Sequence, residues 1–290
     1  MLSVLILTYN EEQNVPRCLE SVRWSDDVLV LDSFSTDRTI EIVRSLGARV
    51  LQNRFVNFAE QRNFGLAHGG LKHDWVLHLD ADEVVTPALK EEVLGVIQKN
   101  EKAAYRLASK MMFQGQWLKY SGLYPWHQVR LGRRDRLRFV QVGHGQREDL
   151  ASAEIGTLRE PLAHYSFSMG ISDWIERHNR YSTAEAEQFL ADAGDRKIDW
   201  AGVAALADGP RRKRALKQLF SFLPCRPAMR FFYMYFFRLG FLDGRAGLTY
   251  CRLLQRYESM TVAKIRELQR RRRRVVIKGG PSGSRAAHNE

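Results

Sequence analysis

The sequence has few cysteines, no long hydrophobic run and no export signal. Its three cysteines, Cys18, Cys225 and Cys251, lie far apart, a spacing that suggests no zinc site and predicts reduced thiols of a cytoplasmic protein. In the C-terminal half the longest apolar run covers only residues 231–237, whereas a membrane-spanning helix needs about 20 residues. The N-terminus shows no basic region ahead of an apolar segment, so we expect no signal peptide.

Two glycine-rich nucleotide motifs are also absent. No G-x-G-x-x-G follows the first predicted strand and no P-loop is present, which argues against a nicotinamide enzyme and a P-loop nucleotidase. Positive charge is abundant instead, because 45 Lys+Arg against 33 Asp+Glu give a net charge of +12. This excess favours anionic partners. Nucleic acid is the less favoured one, since no recognition motif accompanies the five arginines at 270–274.

Up to about residue 108, short apolar runs alternate with amphipathic segments. This rhythm predicts an α/β fold with a mainly parallel central sheet and helices on both faces. Strands are predicted at 3–8, 28–32, 49–52, 75–80 and 104–108, and helices at 15–22, 39–46, 58–68 and 87–99. The aromatic, glycine-containing stretch that follows predicts antiparallel strands and long loops.

The composition predicts three parts of the chain. They are an α/β domain at 1–168, in which the pattern changes at about residue 108; a helical, basic and aromatic extension at 169–268; and a disordered basic tail at 269–290. The tail prediction depends on the arginine run and on the glycine and serine residues after it.

The fourth predicted strand ends in two carboxylates, in the segment DWVLHLDADEVV at 74–85. Side chains at i and i+2 of a strand point the same way, so Asp80 and Asp82 are expected to converge. Ligands of open α/β sheets bind beyond the carboxyl ends of the strands. A carboxylate pair there suits Mg²⁺ or Mn²⁺ bound together with phosphate oxygens, although a solvated turn before a helix has the same composition.

Polar residues also follow the first two strands, in TYNEE and in LDSFSTDRT. Asn10 and Asp37 have a simpler interpretation as helix caps, and Asp32 as a turn residue. Polar residues at three adjacent strand ends are nevertheless better explained by one shared ligand than by chance.

Several segments together resemble the inverting glycosyltransferases of family 2, which have the Rossmann-like GT-A fold. They are VLILTYNEEQNVPRCLESV, VLVLDSFSTDRTIEIV, FAEQRNFGL and WVLHLDADEVV. With LAHYSFSMGISDWIERHNRYS and RLGFLDGRAGL, the chain resembles the branch related to lipopolysaccharide core glucosyltransferases, over about residues 2–255. The resemblance implies these roles: Thr8, Tyr9 and Glu11 line the nucleotide pocket, Asp32 accepts a hydrogen bond from uracil, Arg62 and Asn63 lie along the sugar-nucleotide, Asp80 lies near its ribose or sugar, and Asp82 binds the metal.

The chain departs from the family pattern in two places. Phe34 and Arg38 stand where the family usually has glycine, and the VHE segment that carries the catalytic base in this branch corresponds to VGHGQREDL at 142–150. We expect Glu148 to be the base, with Asp149 as its nearest competitor and His144 as a further alternative. His164 is a candidate third metal ligand, or else a buried histidine bonded to backbone.

The resemblance implies that residues 1–168 are the catalytic domain, with a nucleotide-sugar half at about 1–108 and an acceptor half at about 109–168. It also implies metal-dependent, inverting transfer of a hexose, with glucose the first expectation, from a UDP-sugar to a lipid-linked or lipopolysaccharide-core acceptor. Arginines and lysines beside the aromatic stretch 231–237 predict peripheral binding to the anionic inner face of the cell membrane. Two alternatives stay open: a protein or small-molecule acceptor, and a non-catalytic basic adaptor for membrane or nucleic acid. The sequence does not specify an oligomeric state.

Overall fold

The computed structural model describes residues 1–122, 124–142, 145–191, 199–204, 208–209, 211–212, 215, 223 and 225–278, with side chains up to residue 271. The chain divides into two compact units, one formed by residues 1–177 and 231–254, the other by residues 178–230 and 255–290. The division into a domain at 1–168, an extension at 169–268 and a tail at 269–290 stays a prediction.

Four parallel strands form one half of the main sheet. They are β1 (Ser3–Thr8), β2 (Val28–Asp32), β3 (Arg49–Gln52) and β4 (Trp75–Asp80), and they alternate with α1 (Val15–Ser21), α2 (Thr39–Ser45) and α3 (Phe58–His68), with α4 (Pro87–Lys99) after them. Their order is β3-β2-β1-β4. The chain therefore reverses direction across the sheet between β1 and β4, which is where open α/β sheets bind ligands.

Local sequence explains where these helices begin and end. The Thr86 hydroxyl accepts a hydrogen bond from the Leu89 amide at 3.2 Å and Pro87 occupies the first turn of α4, as the sequence predicted. Asn57 caps α3 in the same way. Helix α4 ends at Asn100, which adopts a left-handed conformation with φ 51°.

The second half of the sheet is mostly antiparallel. Its strands are β5 (Glu83–Val84), β6 (Ala104–Phe113), β7 (Gln116–Trp117), β8 (His127–Arg133), β11 (Ile155–Thr157) and β12 (Leu162–His164), while β9 (Phe139–Val142) and β10 (Gly145–Glu148) form a separate two-stranded sheet. Strand β8 lies between β4 and β6 and is antiparallel to both. The predicted α/β class is confirmed, with a parallel first half of the sheet and a helical C-terminal region.

Both faces of the parallel half are buried. Val4 and Ile6 of β1 face a core with α1, α2 and α4, whereas Leu5 and Leu7 face a second core with α3. This two-sided burial explains why the strand sequence SVLILT is apolar without alternation. Helix α3 lies close to β1 because Gly65 has no side chain: a Cβ there would be 2.6 Å from a Leu5 methyl carbon.

Residues 231–254 pack with the strands through one buried carboxylate. They comprise the end of α7 (Arg226–Phe232), a π-helical turn (Tyr233–Phe237), a 3-10 turn (Gly240–Asp243) and the start of α8 (Gly244–Lys278). Asp243 accepts hydrogen bonds from the backbone amides of Lys119, Tyr120 and Ser121 at 3.2, 3.1 and 2.7 Å, and from the Ser121 hydroxyl at 2.6 Å. Four donors on one carboxylate fix this turn to the loop after β7.

The second unit is helical where it is described. It contains most of α5 (Gly170–Ala191), α6 (Trp200–Ala204) and the later part of α8. Glu258 pairs with Arg226 and Arg230, and Lys264 donates to Asn179. The backbone of α8 continues to Lys278, which extends the helix beyond the predicted tail boundary at residue 268. Within the described residues, the helices that are long enough to cross a bilayer are too polar to do so.

Candidate active site

The ends of β1 and β2 are joined by a fully buried carboxylate, Asp32. Thr8 is its register partner in the sheet and donates its hydroxyl hydrogen to Asp32 Oδ1 at 3.1 Å. The Ser35 amide donates to Oδ2 at 2.9 Å and the Gln52 amide nitrogen donates to the same oxygen at 3.2 Å. The sequence prediction that Thr8 and Asp32 lie together is confirmed, and a bond from a nucleotide base to Asp32 would compete with these internal donors.

Loop-to-loop hydrogen bonds hold the two strand ends together. The backbone amides of Asn10 and Glu11 donate to the hydroxyls of Ser35 and Thr39, each at 2.8 Å. Asn10 adopts a left-handed φ of 54°, which asparagine tolerates better than most residues. This network leaves the aromatic ring of Tyr9 exposed beside the strand ends.

The two positions at which the family usually has glycine differ in backbone conformation. Phe34 has a left-handed φ of 61° and a side chain that is 54% exposed, so a bulky residue occupies a conformation that glycine adopts without strain. Arg38 has an ordinary φ of −82°. The sequence departure therefore matters for backbone strain at Phe34 and not at Arg38.

Glu11 is a partly buried carboxyl group near this junction. Its Oε2 accepts a hydrogen bond from the Asn14 side chain at 2.6 Å. Burial raises the pKa of Glu11 to about 7, against the lowering effect of the Asn14 hydrogen bond and with a further raising effect from Asp82. The group is half ionised near neutral pH, which suits a residue that lines a site for a negatively charged ligand.

Asp80 lies between two buried arginines. Its Oδ1 accepts from Arg62 at 2.6 Å and its Oδ2 from Arg130 at 2.7 Å. Burial opposes ionisation of Asp80, but the two guanidinium groups outweigh it and hold the pKa of this carboxyl well below its usual value. Asp80 is therefore ionised, with both oxygens already bonded to cations. A role beside the sugar-nucleotide fits this arrangement better than direct metal binding.

Sequence reasoning assigned no role to Arg130 or Glu83. Arg130 Nη2 donates to Glu83 Oε1 at 2.7 Å, and Glu83 Oε2 accepts from the Asp80 amide at 2.9 Å. Burial lowers the pKa of Arg130, but Asp80 and Glu83 outweigh it and raise the pKa above its usual value. The signal was present in β8, where Arg130 stands between the apolar residues Val129 and Leu131: an arginine inside a buried strand indicates an internal ion pair.

The predicted alternation from Asp80 to Asp82 is wrong, because β4 ends at Asp80 and a turn follows. Asp82 instead lies next to His164, with Oδ2 and Nε2 3.2 Å apart. Strand β12 causes this contact by pairing with β5, with His164 opposite Glu83. Burial opposes protonation of His164, but Asp82 outweighs it and raises the pKa of the imidazole to about 9.

The two side chains fit a divalent cation that protein and substrate bind together. Cis ligands at about 2.1 Å from an octahedral cation are about 3 Å apart, close to the observed 3.2 Å. Within the described residues no group of three or more His, Cys, Asp or Glu side chains forms a closed metal site. Asp82 and His164 would then supply two ligands, the imidazole after release of its proton to solvent, and diphosphate oxygens and water the others, a mixed set that suits Mn²⁺ or Mg²⁺.

The sheet of β9 and β10 borders this cluster through Asn63 and Gln146. The Asn63 side chain exchanges two hydrogen bonds with the Phe139 backbone, at 2.8 and 3.0 Å. With its amide correctly oriented, Gln146 accepts from Arg62 Nε at 2.7 Å. Arg62 and Asn63 are therefore held by β9 and β10 as well as by α3.

Glu148 and Asp149 are not among the described residues that contact Asp80 or Asp82. Both line a polar cavity of about 480 Å³, together with Arg136, Arg147 and Glu154 among others. Glu148 is the register partner of Phe139 and follows Gln146 by two residues, so its side chain lies on the strand face that carries Gln146 towards Arg62. Asp149 follows the end of β10 and lines the same cavity as Glu148. His144 lies outside the described residues.

Fold and site together define an α/β protein with a polar cluster at the carboxyl ends of β1, β2 and β4. The model of the family "Glycosyl transferase family 2" matches residues 3–146, and through these residues the chain belongs to glycosyltransferase family 2. Membership agrees with the GT-A fold that the sequence resemblance implied.

Curated relatives are similar to parts of the chain. An uncharacterized glycosyltransferase of Rickettsia typhi is 33% identical over 39% of this chain and 40% of its own length. One of Rickettsia bellii is 28% identical over 65% and 67%. The lipopolysaccharide core biosynthesis glycosyltransferase LpsC of Rhizobium meliloti is 24% identical over 64% and 71%. The chain thus spans about two fifths of the first of these relatives and about two thirds of the second.

Solved structures resemble the chain more distantly. S. aureus TarS 1-349 is 19% identical over 89% of this chain and 90% of its own, with a TM-score of 0.38. Glucosyl-3-phosphoglycerate synthase from Mycobacterium tuberculosis, in complex with Mn²⁺, UDP and glucosyl-3-phosphoglycerate, is 18% identical over 65% and 78%, with a TM-score of 0.47. Likenesses at this level add nothing to the family assignment.

Proposed function

We propose that the chain transfers a hexose, with glucose the first candidate, from a UDP-sugar to a lipid-linked or lipopolysaccharide-core acceptor at the cytoplasmic face of the membrane. The observation that carries the proposal is the contact of Asp82 with His164 beside the Asp80 network, at the edge where Thr8 and Asp32 meet. The similarity to LpsC supports the acceptor class.

In this proposal the nucleotide lies over the ends of β1 and β2. Thr8, Tyr9, Glu11 and Asp32 would line its base and ribose, with the exposed Tyr9 ring available for stacking. Asp80 would orient the sugar or ribose, since its carboxylate is held in position by Arg62 and Arg130. Asn63, held by Phe139, would lie further along the donor.

A cation held by Asp82 and His164 would neutralise charge on the departing diphosphate. The acceptor hydroxyl must lose a proton as it attacks, and Glu148 is the proposed base because it lies on the β10 face that carries Gln146 towards Arg62. A single displacement inverts the anomeric centre through an oxocarbenium-like transition state.

A donor panel tests this function. We expect release of UDP from a UDP-hexose that requires Mn²⁺ or Mg²⁺ and that is lost in Asp82→Ala. Calorimetry with UDP and Mn²⁺ provides an independent binding measurement. No nucleotide release in the donor panel together with no UDP binding in calorimetry would refute the proposed function. Release of GDP or dTDP in place of UDP would refute the donor assignment.

Glu148 and Asp149 offer a matched pair for the base. Glu148→Gln is expected to keep UDP affinity and to lower the transfer rate about 10²–10⁴-fold, the range for loss of a general base. Asp149→Asn, a similar change one residue beyond the end of β10, is expected to leave the rate within a few-fold of the wild-type value. The reverse result would assign the base to Asp149. Full activity of both variants would exclude both residues as the general base.

A further inference from the structure

The first unit exposes several large apolar side chains outside the candidate active site. We call the following residues the aromatic surface: Trp126, Phe232, Tyr233, Phe236, Phe237, Phe241 and Leu242. Each is at least 44% exposed, and Phe237 reaches 81%. Soluble proteins rarely expose apolar patches larger than a few hundred Å², and larger ones mark interaction sites.

This surface is ordered by contacts beneath it. Phe232 and Phe236 stack with ring centroids 5.6 Å apart, and Met234 between them is buried. The Asp243 hydrogen bonds fix the turn that carries Phe241 and Leu242. The exposed rings therefore project from a packed support.

Trp126 belongs to a loop that is hydrogen-bonded to the residue after Phe237. Arg238 Nη2 donates to the Tyr124 carbonyl at 2.9 Å, and Trp126 follows two residues later with 62% of its area exposed. Tryptophan and tyrosine are enriched where proteins meet the membrane–water interface, because their rings are apolar and carry a polar atom.

The chain segments that carry the surface are positively charged. No Asp or Glu occurs in the sequence between Glu101 and Asp135 or between residues 226 and 242, and Asp243 is buried and bonded inward. Lys119 and Arg245 are exposed beside the surface. Arg226 and Arg230, two arginines beside the aromatic stretch, pair with Glu258.

We propose that the aromatic surface docks on an anionic lipid bilayer, with its rings at the headgroup boundary and the adjacent cations on lipid phosphates. A second copy of the chain fits less well, because it would oppose an equally positive surface. An anionic bilayer supplies an apolar layer and negative charge together.

The surface lies close to the candidate active site along one strand. Trp126 immediately precedes β8, and Arg130 of the same strand donates to Asp80. Four residues of extended chain span about 13 Å. Docking would therefore bring the donor site within reach of a membrane-bound acceptor, a step that rests on the proposed function.

Vesicle sedimentation of the full chain tests the docking. We expect binding to vesicles that contain phosphatidylglycerol, weaker binding to pure phosphatidylcholine, and loss with rising salt, since screening weakens the charge contribution. Phe237→Ser combined with Leu242→Ser should weaken vesicle binding at least about tenfold, because two apolar side chains no longer leave water. Leu46→Ser is the matched control, since Leu46 is 52% exposed on α2 and Leu242 is 55% exposed.

Nucleotide binding separates this proposal from the proposed function. The double variant should retain wild-type UDP affinity in calorimetry. Wild-type protein that binds UDP but no anionic vesicle would overturn the docking proposal and leave the proposed function standing. Equal vesicle binding by wild type and double variant, or a lipid-free dimer that the double variant dissociates, would also overturn it.

Discussion

Replacing Arg130 by methionine removes the guanidinium group that lies between two carboxylates, Asp80 and Glu83. Arg130 is 4% exposed and Glu83 is fully buried, and Nη2 of Arg130 is 2.7 Å from an oxygen of each acid. Methionine keeps an unbranched chain as far as the position of Nε and removes the charge and the hydrogen-bond donors. The change tests whether this internal network stabilises the edge of the sheet.

The expected cost follows from burial. Removing one partner of a buried ion pair leaves an uncompensated charge and costs about 3–5 kcal/mol. Arg133→Met is the control on the same strand, because Arg133 pairs with an exposed Asp135 and surface pairs contribute about 0–1 kcal/mol. Removing Glu83 charge as well, in Arg130→Met with Glu83→Gln, should recover about 2 kcal/mol relative to the sum of the single changes.

Urea unfolding followed by tryptophan fluorescence measures these differences, with the buried Trp75 reporting on the first unit. The reasoning fails if Arg130→Met costs no more than Arg133→Met. It also fails if the single changes add within about 0.5 kcal/mol, since independent sites behave that way.

Three further predictions concern the strand-end loops and the Asp243 turn. Because burial raises the pKa of Glu11 from 4.5 to about 7, the wild-type protein loses stability as pH rises through this window. In metal-free urea titrations, the free energy of unfolding of Glu11→Gln should equal that of the wild type near pH 4 and exceed it by about 3 kcal/mol at pH 8. The same pH dependence of stability for both proteins would contradict the pKa shift. Phe34→Gly should stabilise by about 0.5–1 kcal/mol by relieving the left-handed φ, whereas Arg38→Gly should destabilise by a similar amount; the same sign for both, in thermal unfolding, would refute the strain argument. Asp243→Ala leaves three backbone amides of the loop without their acceptor and should cost at least about 3 kcal/mol, while Asp135→Ala at the surface should cost less than about 1 kcal/mol.

Periodicity along the chain was sufficient to predict the parallel half of the fold. Strand β1, with its uninterrupted apolar residues, and helix α4, with Thr86 and Pro87 at its start, have the predicted positions because local burial and capping specify them. The shared polar site at the strand ends was predictable for the same reason: parallel strands bring Thr8 and Asp32 to one edge.

Contacts between distant segments were not predictable in this way. Asp82 meets His164 only because β12 pairs with β5, and Asp80 meets Arg130 only because β8 enters the sheet beside β4. The sequence alone determined the α/β class, the family resemblance and the list of candidate residues, since these depend on local pattern. Tertiary structure decided which of the acids are bonded to arginines and which one remains with a histidine, because long-range strand pairing sets those neighbours.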